Sequence, residues 1–152
     1  MAVLLRKYVS GADPKRLQQF ACACCRRVEH LLRDDRSRQA LEAAERFVAG
    51  QANEEERSAA EQAAKYINQG KALEEYAMAE PHAIAAYAVY LATKVRNVED
   101  AAYVAHECAS AVLDESEGEE LEEWSEEEPP PPTPEEEYQC RLVRAMFGAG
   151  AE

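Results

Sequence analysis

From Leu17 onward the apolar residues fall at Leu17, Phe20, Ala21, Cys24, Val28, Leu31 and Leu32, steps of three and four that put them on one side of an α-helix. Asp13-Pro14 ahead of this stripe reads as a helix start. The carboxylate can cap the first turn, and proline loses nothing there because its missing N–H has no partner to bond. The predicted helix runs through Leu32 to Asp34 and Asp35, one of which caps the next. Leu41, Ala44 and Val48 make the stripe of a second helix over 36–49, with Gly50 just past its end. Asn53 followed three residues later by Glu56 has the capping-box pattern. It opens a third helix with Ala60, Ala63, Ala64 and Ile67 inward, reaching Gly70. Residues 71–79 are predicted to be helical too, as a separate piece or a continuation, until Glu80-Pro81 interrupts them. Pro81 then starts a helix with Ile84, Tyr87, Ala88, Leu91 and Val95 as its stripe. Asn97 with Asp100 starts another, carrying Val98, Ala101, Ala105, Cys108 and Val112. A short helical stretch over 2–9 precedes them all.

No run alternates with period two and β-branched residues are sparse, so strands are not expected. The pattern predicts an all-α fold: a small alanine-rich bundle of about five helices over residues 1–113. Residues 114–133 break the pattern. They are dominated by glutamate and contain the unbroken run Pro129-Pro130-Pro131-Pro132. Like charges repel along a helix, four prolines favour an extended polyproline form, and such a composition cannot repay its ordering entropy by burial. A disordered acidic linker is expected there. Pro134 with Glu135, Glu136 and Glu137 then resembles a helix first turn, acidic at the positive end of the dipole. Tyr138, Leu142, Val143, Met146 and Phe147 give residues 134–148 an apolar face, a C-terminal helix on a tether.

Composition alters this picture in two ways. Hydrophobic residues make up 47% of the 152, but much of that is alanine and only 7% is aromatic, so the core is expected to be thin. The formal charge of −13 is also unevenly placed. Residues 114–137 hold 13 of the 30 acidic groups and none of the 17 basic ones, which leaves 17 against 17 elsewhere. Within that neutral remainder the first 38 residues carry nine Lys/Arg against four Asp/Glu. No stretch approaches the roughly 20 apolar residues needed to cross a bilayer. The opening Met1-Ala2-Val3-Leu4-Leu5 does not make a signal peptide. Five cysteines, three of them crowded at Cys22, Cys24 and Cys25, do not suit a disulfide framework, and free thiols in a reducing cytoplasm are expected.

Candidate chemistry is sparse. Cys22 and Cys25 form a Cys-x-x-Cys pair that could supply two zinc ligands, with His106, Cys108 or Cys140 completing a tetrahedral set. The same cysteines lie on or beside the apolar stripe, where free cysteine packs as a small hydrophobe. Packing is preferred, no cofactor is expected, and zinc is kept as the alternative. His30, His82 and His106 are the only histidines, and neither a His-Glu-x-x-His nor a Gly-x-Ser-x-Gly motif occurs, so no enzyme is predicted. Arg26, Arg27, Arg33, Arg36 and Arg38 could form a basic patch for an anionic polymer. No aromatics interleave with them and the chain is acidic, so nucleic acid is disfavoured and pairing with nearby carboxylates, such as Arg26 with Glu29, is preferred. Tyr66, Tyr76, Tyr87, Tyr90 and Tyr103 are expected to seal the edges of an alanine-rich core.

Two segments carry a family resemblance. The run from Leu17-Gln-Gln-Phe-Ala-Cys-Ala-Cys-Cys-Arg-Arg-Val-Glu-His-Leu-Leu-Arg through Ala43-Ala44-Glu45-Arg46-Phe47, and the closing Gln139-Cys140-Arg141-Leu142-Val143-Arg144-Ala145-Met146-Phe147-Gly148, are similar to a large family of uncharacterised bacterial proteins. That family has an "LRLFACACCRRIWHLL-DERSR" segment, an alanine-rich helical middle and a "QCDLLRDIFGNPF" segment. The chain departs from it after Phe147-Gly148 and in the acidic segment. The resemblance implies a helical fold and supplies no catalytic residues. The expectation drawn from the sequence is a non-enzymatic helical interaction or scaffold module with another protein as partner. Tyr138, Leu142, Val143, Met146 and Phe147 would be the contact face. The alternatives are a zinc- or thiol-dependent protein and an anionic-polymer binder whose acidic segment competes for the basic first third.

Overall fold

Every predicted N-cap that the structure describes is used. In the computed structural model, which describes residues 5–7, 13–75, 80–116 and 132–148, with side chains of 66–75 and 113–116 outside that description, six α-helices and one 3-10 turn follow one another. Helix α1 (Pro14–Arg27) starts as the Asp13 carboxylate accepts the Lys15 backbone N–H at 3.0 Å. In α2 (Asp35–Val48) the Asp34 carboxylate does the same for Arg36 at 2.9 Å. Helix α3 (Glu54–Glu75) opens with both halves of the capping box: Glu56 N–H donates to Asn53 at 2.9 Å, and Asn53 N–H donates to the Glu56 carboxylate at 3.2 Å. Each of these bonds satisfies a backbone donor that a helix start otherwise leaves unpaired. Helix α3 continues through Gly70, so the piece predicted from residue 71 is its continuation up to Glu75. Helix α4 (Pro81–Ala92) begins on proline, α5 (Val98–Ser116) has Asn97 accepting the Asp100 N–H at 2.8 Å, and α6 (Pro134–Phe147) carries a full capping box between Thr133 and Glu136. No strand occurs among the described residues, and the fold is all-α.

Helix α2 ends in a Schellman motif. Gly50, at φ 75°, turns the chain so that its N–H reaches the Phe47 carbonyl at 3.1 Å while Gln51 N–H reaches the Arg46 carbonyl at 2.8 Å. A Cβ placed on Gly50 would meet nothing within 4 Å, so an alanine there is opposed by backbone conformation and not by a clash. Gly50→Ala is expected to cost about 1–2 kcal/mol and to lower the melting temperature by about 2–8 °C, with asparagine recovering part of the loss. A thermal melt by circular dichroism checks this.

The first helix is shorter than its stripe predicts. It stops at Arg27, and a 3-10 turn (Glu29–Leu31) follows, held by Leu31 N–H to the Val28 carbonyl at 3.0 Å and Leu32 N–H to the Glu29 carbonyl at 3.0 Å. At three residues per turn the chain changes direction there. Val28 and Leu32 both stay buried, so the hydrophobic spacing alone could not reveal the break.

The core is built around α4, which packs against α1, α2, α3, α5 and the 3-10 turn. A helix surrounded in this way is apolar on all sides, and the one predicted stripe on it is wrong in detail. Ala85, Ala88, Val89 and Ala92 are fully buried, whereas Ile84, Tyr87 and Leu91 are only half-buried. Small side chains occupy the lines of closest approach, and the larger ones fill the wider gaps beside them. Helix α5 repeats the arrangement with Ala101, Val104, Ala105, Cys108 and Ala111 buried. Tyr87 stands 6.2 Å from Tyr90 and 6.4 Å from Tyr103 between ring centres, an aromatic edge on this layer as expected. Tyr66, Tyr76 and residues 117–131, the bulk of the predicted linker, lie outside the described residues. Helix α5 reaches Ser116, three residues past the point where the linker was predicted to begin.

Candidate functional site

The predicted contact helix α6 lies on α1 and α5. Its inward line is Glu135, Gln139, Val143 and Phe147, all four buried and each four residues after the last. Half of that line is polar, and the expected face of five apolar residues is divided: Val143 and Phe147 face the core, while Tyr138, Leu142 and Met146 stay half-buried at its margins. Phe147 meets Phe20 edge to face, 6.3 Å between centres, and the Arg16 guanidinium lies 5.4 Å from the Phe147 ring centre. Arg16 also donates to the Met146 carbonyl, one of those left open at the helix end.

The two polar side chains of the seam bond to each other, Gln139 Nε2 to Glu135 Oε1 at 3.4 Å, and to the helices beneath. Gln139 Nε2 donates to the Ala105 carbonyl at 2.8 Å, deep between α6 and α5. Glu135, 3% exposed, accepts from Arg27 Nε at 3.2 Å, and the Arg27 guanidinium also sits 4.4 Å from the centre of the Tyr138 ring. Sequence patterning missed Glu135 and Gln139 because it seeks apolar positions, but a glutamate and a glutamine in register with Val143 and Phe147 were visible as an i, i+4 line.

Four of the five arginines of the predicted basic patch, Arg26, Arg27, Arg36 and Arg38, are paired with carboxylates. Arg26 holds Glu45 through two nitrogens, at 2.7 and 2.5 Å, and Glu29 at 2.9 Å, the pairing expected from the sequence. Its guanidinium is pushed up first by the Glu45 hydrogen bonds. Arg27 is committed to Glu135, Arg36 to Asp34 at 2.8 Å, and Arg38 to Asp35 at 3.0 Å and to the Leu32 carbonyl. Arg33 is exposed. Acidic side chains stand within one helical turn of these arginines or on a neighbouring helix, which is why they pair.

Of the five candidate metal ligands, the structure brings Cys25 and Cys108 together, sulfur to sulfur 4.0 Å, from α1 and α5. Cys22 is buried beside a groove, His106 is exposed on α5 and Cys140 is half-buried on α6. Among the described residues no three His, Cys, Asp or Glu side chains are placed to share a metal ion. Burial pushes the Cys22 thiol up to about 12, helped by the field of Glu45. Cys24 is raised mainly by burial, and Cys25 first by its hydrogen bond with Cys108 and then by burial. A neutral thiol is a poor nucleophile, so this cluster is chemically quiet at neutral pH.

Beside α6 lies a groove of about 410 Å³ between α1 and α2, lined by Cys22, Ala23, Arg26, Val48 and Tyr138. No helix among the described residues is long and apolar enough to cross a membrane. No protein-family model matches the chain, and no curated protein or solved structure matches it either.

Proposed function

We propose that the chain is a non-enzymatic helical interaction module, in which α6 is an exchangeable cover over a seat on α1 and α5. The observation that carries this reading is the half-polar seam. Only Val143 and Phe147 are buried as apolar anchors of α6, each contributing roughly 1.5–3 kcal/mol. Glu135 and Gln139 exchange water hydrogen bonds for protein ones at small net gain. A helix held this way docks in one register and still has a modest release cost. The groove beside Tyr138 supports the same reading, since an incoming amphipathic helix could extend into it. The partner is taken to be another protein in the cytoplasm, where the buried thiols stay reduced.

The alternatives have less support. Zinc needs about four ligands and finds one converging pair of sulfurs, and an anionic polymer would have to displace carboxylates already held by Arg26, Arg27, Arg36 and Arg38. The test uses the full chain and a fluorescently labelled peptide of its own residues 133–148. Phe147→Ala in the chain weakens the resident helix, and peptide uptake read by anisotropy is expected to rise at least about tenfold over the unaltered chain. Glu135→Gln in the chain, which weakens the resident helix and leaves the seat unchanged for the peptide's own Glu135, should raise it less. Failure of both variants to take up peptide, or equal uptake of a peptide carrying Val143→Asp, would overturn the proposal.

A further inference from the structure

A pocket of about 210 Å³ opens where the start of α1 meets the ends of α2 and α4 and the start of α3. Its lining concentrates positive charge in a chain of formal charge −13: Lys15, Arg57, Lys94 and Arg96 against the single carboxylate of Glu54. These cations have different tasks. Arg57 is engaged through four of its five N–H groups, its guanidinium bonded to Glu54 at 2.8 and 2.5 Å, to Glu61 at 2.9 Å and to the Thr93 carbonyl at 2.7 Å. It forms a rigid wall, and Phe47 is fixed between it and Lys15, with the cationic groups 5.8 and 5.0 Å from the ring centre.

Lys15, Lys94 and Arg96 are left with cationic capacity. Lys15 and Arg96 enter no ion pair among the described residues. Lys94 Nζ donates to the Tyr90 hydroxyl at 3.1 Å and rests over that ring, which leaves two of its three N–H groups. Lys94 and Arg96 also line a neighbouring pocket of about 310 Å³ with Glu61, Asp100 and Tyr103, so the concavity continues past them. The carboxylates there are engaged, Glu61 by Arg57 and Asp100 by the Arg96 backbone N–H at 2.9 Å.

The second feature is Gln18, a pocket-lining side chain only 3% exposed. Its Nε2 donates to the carbonyls of Ala92 and Thr93, both at 3.0 Å, closing the end of α4. Its Oε1 accepts no hydrogen bond among the described residues. A buried amide oxygen without a donor costs free energy that a donor on a ligand would recover. Cations at the rim and a buried amide in the wall suit a ligand with an anionic end and a hydrogen-bond donor beside it. Three cations that enter no ion pair among the described residues suit a dianion better than a single carboxylate.

We propose that Lys15, Lys94, Arg96 and Gln18 form a binding site for a small hydroxyl-bearing phosphate monoester. The phosphate sits among the three cations, and the hydroxyl donates to Gln18 Oε1. The site shares no residue with the seat of α6, so its failure and the failure of the exchangeable cover are separately observable.

Calorimetric titration of the full chain with glycerol 3-phosphate is the test, with inorganic phosphate, sulfate and malate as comparison ligands. Glycerol 3-phosphate is expected to bind at least about fivefold more tightly than inorganic phosphate, and both more tightly than sulfate. Arg96→Ala and Lys94→Ala should each weaken it about tenfold, with the melting temperature held, since neither side chain is in the core. Gln18→Met keeps the side-chain length and removes the acceptor, so it should abolish the preference of the ester over inorganic phosphate. No heat with glycerol 3-phosphate at millimolar concentration overturns the proposal. So do equal binding of sulfate, tighter binding of malate, or an Arg96→Ala chain that binds as the unaltered one does.

Discussion

Above pH 9 the protein is expected to lose stability as three buried thiols, Cys22, Cys24 and Cys25, come under pressure to ionise, with Cys22 alone approaching about 1.4 kcal/mol per pH unit. All three hold their protons more tightly folded than unfolded, because burial, and for Cys25 the bond with Cys108, disfavours the thiolate. Their contribution is therefore complete below the ordinary thiol value near 9. It is lost as pH rises toward the folded value, which for Cys22 is about 12. Cys24 and Cys25 act in the same direction, so the loss with rising pH is steeper than Cys22 alone would give. Urea denaturation under reducing conditions at several pH values from 8 to 11 gives the slope. Lysines also titrate in that range, so the informative quantity is the difference from a Cys22→Ala chain, whose slope should be shallower by up to about 1.4 kcal/mol per pH unit. Identical slopes would show that the Cys22 thiol is not as isolated from solvent as its 2% exposure indicates.

Replacing Phe20 by alanine is expected to cost about 3–5 kcal/mol, enough to lower the melting temperature by roughly 6–20 °C. Phe20 is fully buried on α1, among the largest enclosed side chains, in a core otherwise filled largely by alanine. Small neighbours cannot reach across to close the cavity, which places the cost toward the upper end of the range. Phe20 is also the floor of the α6 seat through its edge-to-face contact with Phe147. A double-mutant cycle with Phe147→Ala should return a coupling of about 1 kcal/mol. Additive effects would mean that the two rings contribute only area.

Local chemistry was legible without the fold. Asp13, Asp34, Asn53 and Asn97 cap helices because a side-chain oxygen near a helix start meets its own open N–H groups, whatever the rest of the molecule does. Gly50 is read with equal directness, since only a residue tolerant of positive φ closes that turn cheaply. The pairing of Arg26 with Glu29 is likewise set by a spacing of three. What failed was the side each helix shows to its neighbours. Periodicity marks an inward face when one side of a helix is wet, and α4 is enclosed, so its larger side chains announced a stripe that its alanines occupy.

The candidate sites divide along the same line. The cysteine cluster could be seen in the chain, but its chemical quietness comes from helices that enclose it and from Cys108, 83 residues away. The concave cationic site was not visible at all. Its parts come from four separate stretches, and its significance depends on which cations are already paired, a matter of long-range geometry. Helix class, the capped helix starts, the stop at Gly50 and the concentration of negative charge in residues 114–137 are readable from the chain alone, because they depend on neighbours within a turn or on composition. The packing of the helices is what buries Glu135 and Gln139, sets Arg27 on Glu135 and Arg26 on Glu45, and holds Gln18 against the Ala92 and Thr93 carbonyls, because each depends on which groups distant stretches bring within hydrogen-bond reach.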